Sequence, residues 1–287
     1  MTFDDDDDIH VSSSSRSDIA WDPCCSRLPC LNEFQHDPEY FKIPESGRQL
    51  DVASENCSWH MENHEALRCV FGTSDDISKN CPVNCACCPL MISCSEVSWK
   101  QLINGFKKVS RVPVRILIIS NLTDPSSRNW TEMAEIFPLL RHLEVSDTPL
   151  KMLQDAEYAP FRNLDVLLLH RNSITRLEQD NFIGLHNLTW LTFEQNNITR
   201  LENETFSKLT NLHQLSLYEN PISSWANSAF EGLDKLIILR LDKTEITSLN
   251  KSSFNGLTGL RLLNIYYTQL RSLEPGTFVS TQELQYL

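Results

Sequence analysis

One regularity limits what this chain of 287 residues can fold into: a leucine recurs every 24 residues through its second half. The repeating residues are Leu140, Leu164, Leu188, Leu212, Leu236, Leu260 and Leu284. The units carry apolar residues in the order LxxLxL, then an Asn or Thr, and four of them close with an FxxL pair. Alternating apolar residues bury one face of a short strand, and a single unit cannot bury its own apolar face. We therefore expect a stack of coils with one parallel sheet along one side.

The unit resembles the 24-residue extracellular type of the leucine-rich repeat family, with the pattern LxxLxLxxNxLxxLxxxxFxxLxx, over residues 140–287. The resemblance implies an α/β repeat solenoid: a horseshoe with a single parallel β-sheet on its concave face and loops or short helices on the convex side. An Asn after each strand is expected to hydrogen-bond backbone groups of neighbouring coils. This ladder should be weaker at Thr148, Thr244 and Thr268, which stand in the Asn position.

Two features are expected before the regular repeats. "VRILIISN", residues 114–121, is predicted to be a degenerate first strand with Ile116, Ile118 and Asn121 on the repeat offsets. "WTEMAEIF" is predicted to form a short helix between this strand and Leu140.

Four segments are predicted along the chain. Residues 1–23 are acidic and then Ser-rich, which indicates a disordered tail because almost nothing there can be buried. Residues 24–80 form a cysteine-rich N-terminal segment, and residues 81–113 a disulfide cap of the repeats. Residues 114–287 hold the leucine-rich repeats, and the last one is incomplete at "ELQYL". We expect the full protein to continue into more repeats and a membrane anchor.

All ten cysteines lie between Cys24 and Cys94, an even number in one segment, which favours disulfides. "CPVNCACCPLMISC" has the spacing Cx3CxCx6C and resembles the N-terminal cap of extracellular leucine-rich repeat proteins. The resemblance implies that Cys81 pairs with Cys87 and Cys85 with Cys94, although an added cysteine departs from the pattern. The partners of six cysteines stay open: Cys24, Cys25, Cys30, Cys57, Cys69 and Cys88.

Zinc is the alternative use of these cysteines. Thiolate and imidazole groups suit that ion, and a C-x2-H-x3-H-x4-C spacing is formed by Cys57, His60, His64 and Cys69. We favour disulfides, because the only CxxC, Cys85 to Cys88, lies inside the cap pattern. We therefore expect neither a metal nor a cofactor.

Asn-x-Ser/Thr triplets, the acceptors of N-linked glycans, are more frequent than the composition predicts. Six are candidate glycosylation sites: Asn121, Asn129, Asn187, Asn197, Asn203 and Asn250. A seventh, at Asn56, is weaker because Cys57 is its middle residue. With the cap cysteines they indicate an extracellular or cell-surface protein, although the first residues lack the basic start and apolar core of a secretory signal.

The net charge of -13 and the pI near 5.0 argue against nucleic acid and anionic membranes as partners, since both require clustered Lys and Arg. No apolar run approaches the roughly 18 residues of a membrane span, so any membrane contact is expected through a segment outside this chain. No Ser, Cys or carboxylate constellation recurs around the histidines of the repeats, so we expect no enzyme.

The concave face is the predicted binding surface, because its outward residues are free of the core pattern. Aromatic and charged residues at these positions are the ligand-binding candidates: Trp190, Tyr218, Tyr266, Tyr267, His170, Arg171, Glu194, Glu219, Arg240, Asp242 and Lys243. Such residues anchor protein interfaces. The alternative for each one is packing against the neighbouring strands, as expected also for the outward apolar residues Val166 and Leu168.

Cap and repeats together resemble Toll-like receptors and other leucine-rich repeat receptors. We therefore favour the ectodomain of a signalling cell-surface receptor, which binds a protein ligand or co-receptor on its concave face and assembles as a receptor dimer. The alternative is a secreted matrix or adhesion protein without signalling of its own.

Overall fold

The structure, a computed structural model, describes residues 81–87, 90–107 and 113–287, and the backbone of residues 42–45 and 48–51. The predicted tail and most of the cysteine-rich segment lie outside the described residues. So do the six cysteines whose partners stayed open, the proposed zinc ligands and Asn56. The two backbone stretches, β1 (Lys42–Glu45) and β2 (Arg48–Asp51), pair as an antiparallel hairpin.

A nine-stranded sheet runs the length of the described coils, with its strands in chain order. Its strands are β3 (Cys85–Cys87), β4 (Met91–Ser95), β5 (Ile116–Ser120), β6 (His142–Ser146), β7 (Val166–Leu168), β8 (Trp190–Thr192), β10 (Gln214–Ser216), β12 (Ile238–Arg240) and β14 (Leu262–Asn264). Every neighbouring pair is parallel except β3 and β4. The register from β6 to β14 advances by 24 residues per strand, so that Leu191, for example, lies beside Leu215. The predicted solenoid with one main sheet is confirmed.

The opposite, convex side carries shorter elements. Two parallel pairs of two-residue strands form there: β9 (Arg200–Leu201) with β11 (Ser224–Trp225), and β13 (Ser248–Leu249) with β15 (Ser272–Leu273). The helices are α1 (Trp99–Phe106), α2 (Trp130–Ile136) and the 3-10 turns Pro125–Ser127 and Gln179–Phe182. Helix α2 confirms the helix predicted at "WTEMAEIF". No helix of the described part is long and apolar enough to cross a bilayer.

The core lies between the sheet and the convex side. The inward leucines of the strands, such as Leu167, Leu191 and Leu239, are fully buried. On the convex side of this core, phenylalanines of successive coils contact one another: the ring centroids of Phe182 and Phe206 are 5.7 Å apart, and those of Phe206 and Phe230 are 6.2 Å apart. Each coil therefore buries its apolar face against the coils before and after it.

The predicted asparagine ladder is present. The Asn196 amide donates to the carbonyl oxygens of Leu169 and Phe193, at 2.8 and 2.9 Å, and its side-chain oxygen accepts from the backbone of Ile174 at 3.0 Å. Asn220 repeats this arrangement one coil later. At Thr244 the hydroxyl donates a single bond to the Leu241 carbonyl. The Thr148 hydroxyl donates to the Ser146 carbonyl and accepts from the backbone of Leu122 in the preceding coil, so one bond between coils remains there. The ladder thus has fewer bonds at Thr148 and Thr244 than at Asn196 and Asn220.

The first strand of the repeats was predicted one residue out of register. Ile116 and Ile118 were expected on the repeat offsets, but Leu117 and Ile119 occupy the inward positions, opposite Leu143 and Val145. Five successive residues of β5 are apolar or small, so hydrophobic period alone does not distinguish its two faces. Asn121 consequently aligns with Asp147 at the end of the strand and not with the ladder.

The cap covers the start of the sheet with the antiparallel pair β3 and β4. Cys81 is bonded to Cys87 and Cys85 to Cys94, the two pairs that the family resemblance implied. The second bond joins residues that face each other across β3 and β4. The unpaired edge of β4 is therefore covered by a strand that is itself held covalently.

Candidate functional site on the concave sheet face

The face of the nine-stranded sheet that points away from the core is called the concave face below. Strand β8 shows its construction. Trp190 and Thr192 point outward, Leu191 and Phe193 are buried in the core, and Glu194 follows at the carboxyl end of the strand. By this pattern the predicted residues Trp190 and Arg240 lie within strands. The other candidates lie just beyond the strand ends: His170, Arg171, Glu194, Tyr218, Glu219, Asp242, Lys243, Tyr266 and Tyr267.

One residue of each coil adopts a left-handed backbone at this edge. The φ angles of these residues lie between 51° and 56°, and the set is Asp147, Arg171, Gln195, Glu219, Lys243 and Tyr267, called the edge row below. The amides of four of them, Arg171, Gln195, Glu219 and Lys243, donate to the next coil, as from Gln195 to the Tyr218 carbonyl at 2.9 Å. Non-glycine residues rarely adopt positive φ. The repeated hydrogen bond holds the turn, which aligns these side chains along one border of the sheet.

Two strands in the first half of the concave face, β5 and β7, present apolar residues that are almost completely buried, whereas β6 between them presents His142 and Glu144. Ile116 and Ile118 on β5, and Val166 and Leu168 on β7, each expose less than a tenth of their surface. These residues contribute little area to a partner. Lateral packing, the alternative that the sequence left open for Val166 and Leu168, describes what they do.

His170 and Arg171 pair with the preceding coil. The His170 Nε2 atom lies 3.5 Å from Oε1 of Glu144, which also accepts from the Ser146 hydroxyl at 3.4 Å. Arg171 makes two bonds to the Asp147 carboxylate, at 2.9 and 3.0 Å. Hydrogen bonding from Arg171 holds the pKa of Asp147 below its ordinary value. These two candidates form a group of their own.

A second group crosses three coils at the middle of the face. The Glu194 Oε1 atom accepts from the Ser216 hydroxyl at 2.6 Å and from Arg240 Nη1 at 3.0 Å. The Nε atom of Arg240 lies 3.5 Å from Oδ2 of Asp242, whose side chain is fully buried. Burial raises the pKa of Asp242 to about 6, against the opposing effect of Arg240.

Tyr218 joins this group to the edge row. Its ring centroid lies 5.1 Å from the Arg240 guanidinium and 4.9 Å from the Lys243 ammonium. Hydrogen bonding with Tyr218 raises the pKa of Lys243. The Lys243 ammonium is also 3.6 Å from Glu219, which accepts from the Gln195 amide at 2.9 Å. One aromatic ring therefore contacts two cations, each of which faces a carboxylate.

The remaining candidates lie at the two ends of this group. Tyr266 and Tyr267 contact edge to face, with ring centroids 5.0 Å apart, and Tyr267 exposes 77% of its surface. Trp190 is half-buried at the start of β8, aligned with Val166 and Gln214. The structure thus brings six candidates into contact and leaves Trp190 beside them at the other border of the sheet.

Four partners of these candidates were not predicted: Glu144, Asp147, Gln195 and Ser216. All four occupy repeat positions that were selected in other coils, so the 24-residue period could have identified them. Aromatic and charged residues were selected first, which passed over a serine and a glutamine. Their role depends on contacts between coils, and no single unit of the sequence contains both partners.

All six predicted glycan acceptors are exposed. Asn121 aligns with the edge row, Asn197 follows the ladder position, and Asn129, Asn203 and Asn250 belong to the convex side. Asn187 precedes β8, and its amide donates to the Arg162 carbonyl at 2.9 Å. Apart from Asn121, these acceptors lie away from the residues of the concave face.

Within the described residues, no group of three or more His, Cys, Asp or Glu side chains is placed to hold a metal ion. The site instead combines aromatic rings with paired charges, an arrangement suited to binding a surface that carries both apolar and charged groups.

The leucine rich repeat family model matches residues 138–198, 162–222, 187–244 and 234–287, which together make up just over half of the chain. Among solved structures, the fold is similar to one titled "Crystal structure of TLR13-ssRNA13 complex", with a TM-score of 0.49 and 24% sequence identity over 63% of this chain. This chain covers 30% of the length of that one. A comparison with curated proteins found no match.

Proposed function

Because this chain belongs to the leucine-rich repeat family, we propose that its concave face recognises a protein ligand, as part of the ectodomain of a cell-surface receptor. The observation that carries the proposal is the group formed by Glu194, Tyr218, Arg240 and Lys243, in which one aromatic ring contacts two cations that are each paired with a carboxylate. Tyr and Arg are the residues most often found at the energetic centres of protein interfaces. The fixed hydrogen bonds between coils reduce the entropy lost when a ligand binds.

The charge pattern of the face favours protein over nucleic acid. Whole-chain charge is a weak guide here, because residues 1–80 hold 17 acidic and 6 basic residues, whereas residues 81–287 hold 21 and 19. The local pattern is more informative. Arg171, Arg240 and Lys243 each have a carboxylate within 4 Å. A phosphate backbone binds to clustered cations, and here each cation is opposed by an acid.

Two features support an extracellular location. The cap is closed by two disulfides, which persist in oxidising compartments. The six exposed Asn-x-Ser/Thr acceptors suit a glycosylated surface. Binding without catalysis is the proposed activity, because the polar groups of the concave face are engaged in ion pairs between coils.

The proposal is tested by screening the chain, displayed as a multivalent fusion, against a panel of purified extracellular proteins. A triple variant, Trp190→Ala, Tyr218→Ala and Tyr266→Ala, should weaken the binding of any ligand found by about 10-fold or more. A control triple variant on exposed convex positions, Lys208→Ala, Glu231→Ala and Lys251→Ala, should bind as the original chain does. Equal binding by both triple variants would place the ligand elsewhere on the solenoid.

A single-stranded RNA oligonucleotide at low salt serves as the second arm of the screen. We expect no saturable binding of this RNA. Saturable RNA binding that is lost in the concave-face triple variant would contradict the proposal and identify the ligand of this face as a nucleic acid. Surface labelling of cells that express the complete transcript separates a receptor from a secreted matrix protein.

A further inference from the structure

We propose that Asp242 acts as a proton-operated switch beneath the concave face: its ionised carboxylate holds Arg240 beside Tyr218, and its protonation releases that hold. The inference rests on the proposed function, since it concerns how the same face presents its charges to a ligand. It adds a dependence on proton concentration to that recognition.

The position of Asp242 is unusual for an ionised group. The residue directly follows the inward Leu241, and its side chain is completely buried. The Nε atom of Arg240 lies 3.5 Å from the Oδ2 atom of Asp242, which is longer than a usual charge-assisted hydrogen bond. A buried carboxylate that is paired so weakly is stabilised in its neutral form. The geometry alone therefore indicates a group that takes up a proton more readily than a surface aspartate does.

The groups that interact with the Asp242 carboxylate come from its own coil and from the next one. Arg240, on β12, approaches it to 3.5 Å and opposes protonation, as the backbone amides of Tyr266 and of Asp242 itself also do. Burial outweighs these effects, so that the pKa of Asp242 rises to about 6. Asp242 is therefore ionised at neutral pH and neutral in mildly acidic surroundings.

Arg240 transmits the change to the surface. Its side chain is 20% exposed, and its guanidinium pairs with Glu194 through Nη1 and with Asp242 through Nε, while it also contacts the Tyr218 ring. Protonation of Asp242 removes one of these two carboxylate charges. The guanidinium then shifts toward Glu194, and its contact with the Tyr218 ring changes.

The charge of the whole group changes as well. Glu194, Glu219 and Asp242 oppose Arg240 and Lys243, which leaves one net negative charge above the transition and none below it. An acidic surface on a ligand is thus repelled less in an acidic compartment. The effect is electrostatic, so it should weaken with added salt.

The repeat pattern does not by itself require a carboxylate here. The same position holds Ser146, His170, Glu194, Tyr218 and Tyr266 in the other coils. The strand and its turn form equally well with these residues, so Asp242 is not needed for the backbone of the coil. The Asp242 charge therefore acts on the side chains of the concave face and is not required by the backbone of its coil.

The experiment is a pH titration by NMR of the full chain, with carboxyl-labelled aspartate and nitrogen-labelled arginine. We expect the Asp242 carboxyl carbon to titrate with a midpoint near pH 6, and the Arg240 Nε resonance to move with the same midpoint. Asp242→Asn should abolish that movement of Arg240. The variant has to be made in a bacterial host, because it creates an Asn-Lys-Thr glycan acceptor.

Glu219→Gln is the matched control, since it removes an exposed carboxylate of the same group and should leave the Arg240 midpoint near pH 6. An Asp242 midpoint below about pH 4.5, close to that of an ordinary aspartate, would overturn the switch. The switch would also be overturned if the chemical shift of the Arg240 Nε resonance stayed constant through the Asp242 transition. The titration uses no ligand, so it stands or falls separately from the proposed recognition of a protein.

Discussion

A single buried amide connects neighbouring coils at Asn196. The residue is 4% exposed, donates to carbonyl groups of its own coil and of the preceding one, and accepts from the Ile174 backbone. Removing such a side chain leaves buried backbone groups without partners, which costs about 1 to 3 kcal/mol per group. The ladder therefore depends on each of its members.

Asn196→Ala should lower the free energy of unfolding by about 2 to 4 kcal/mol, because several buried groups lose their partner at once. Urea denaturation of the unglycosylated chain measures the change. Asn197→Ala, at the exposed neighbouring position, is the control and should change stability by less than about 0.5 kcal/mol. Equal effects at both positions would contradict a structural role for the ladder.

In contrast to the Asn196 side chain, which stabilises the fold, the ionised Asp242 carboxylate is expected to destabilise it. Its pKa is about 6 in the folded chain and 3.8 is the reference value. Between these two values the folded state binds a proton that the unfolded state has released, so stability from this group falls as the pH rises through this window. At pH 7 the cost approaches about 3 kcal/mol, at 1.36 kcal/mol per pKa unit.

The variant Asp242→Asn should therefore be more stable than the original chain at pH 7, where the original carries the buried charge. Its advantage in free energy of unfolding should be up to about 3 kcal/mol larger at pH 7 than at pH 4. Urea denaturation at the two pH values measures this difference, again with protein from a bacterial host. A constant difference between the original chain and Asp242→Asn at both pH values would argue against a raised pKa.

At the scale of elements, close approach between coils limits which residues can turn the chain on the convex side. Gly256 has a φ of 89°, and a β-carbon there would lie 2.5 Å from the Phe230 carbonyl oxygen in the preceding coil. Gly276 has a similar φ of 82°, but a β-carbon there would meet nothing within 4 Å. Substitutions at these two positions therefore distinguish the cost of backbone strain alone from the cost of strain together with a steric contact.

Gly276→Ala should cost about 1 kcal/mol, since it introduces only the strain of a left-handed alanine. Gly256→Ala should cost at least about 1 kcal/mol more, because the neighbouring coil must also move. Thermal or urea unfolding of the two variants compares them directly. Similar losses at both sites would mean that the coils adjust to a methyl group without cost.

The elements also show where the sequence was sufficient and where it was not. The 24-residue period predicted the strands, the ladder and the core because each coil repeats the same inward side chains, such as Leu191 and Phe193. It did not resolve β5, where adjacent isoleucines face both the core and the concave face. It also did not predict the bond between Glu194 and Arg240, because these residues are 46 positions apart and meet only when long side chains cross the intervening coil.

At the scale of the whole molecule, the predicted glycan acceptors other than Asn121 lie away from the residues of the proposed recognition surface. Asn197 lies two residues from Gln195, which belongs to the edge row and contacts Glu219. Asn197 is exposed next to the buried ladder residue Asn196, whereas a glycan at position 195 would lie at the border of the concave face. We therefore expect that moving the acceptor by two residues brings its glycan against the proposed recognition surface.

The double variant Gln195→Asn, Asn197→Thr moves the acceptor by these two residues and keeps the number of acceptors unchanged. With the glycan attached, we expect the protein ligand found by the screen to bind about 10-fold more weakly or worse, because the sugar covers Glu219 and Tyr218. Surface plasmon resonance measures the affinity, and glycopeptide mapping verifies occupancy. Asn203→Gln, which removes a convex acceptor, should bind normally, and undiminished binding by the occupied double variant would exclude this border as the contact surface.

The constant register between β6 and β14 has a consequence for how such a molecule changes over generations. A duplicated or deleted stretch of 24 residues keeps every inward side chain, ladder bond and phenylalanine contact in phase, whereas any other length breaks all of them. Whole-coil steps are therefore the length changes that the core accepts. They do not leave the surface untouched: one coil inserted between β8 and β12 would part Glu194 from Arg240 by another strand spacing, about 4.8 Å. An insertion of one coil would therefore preserve the fold but change which ligands the concave face can bind.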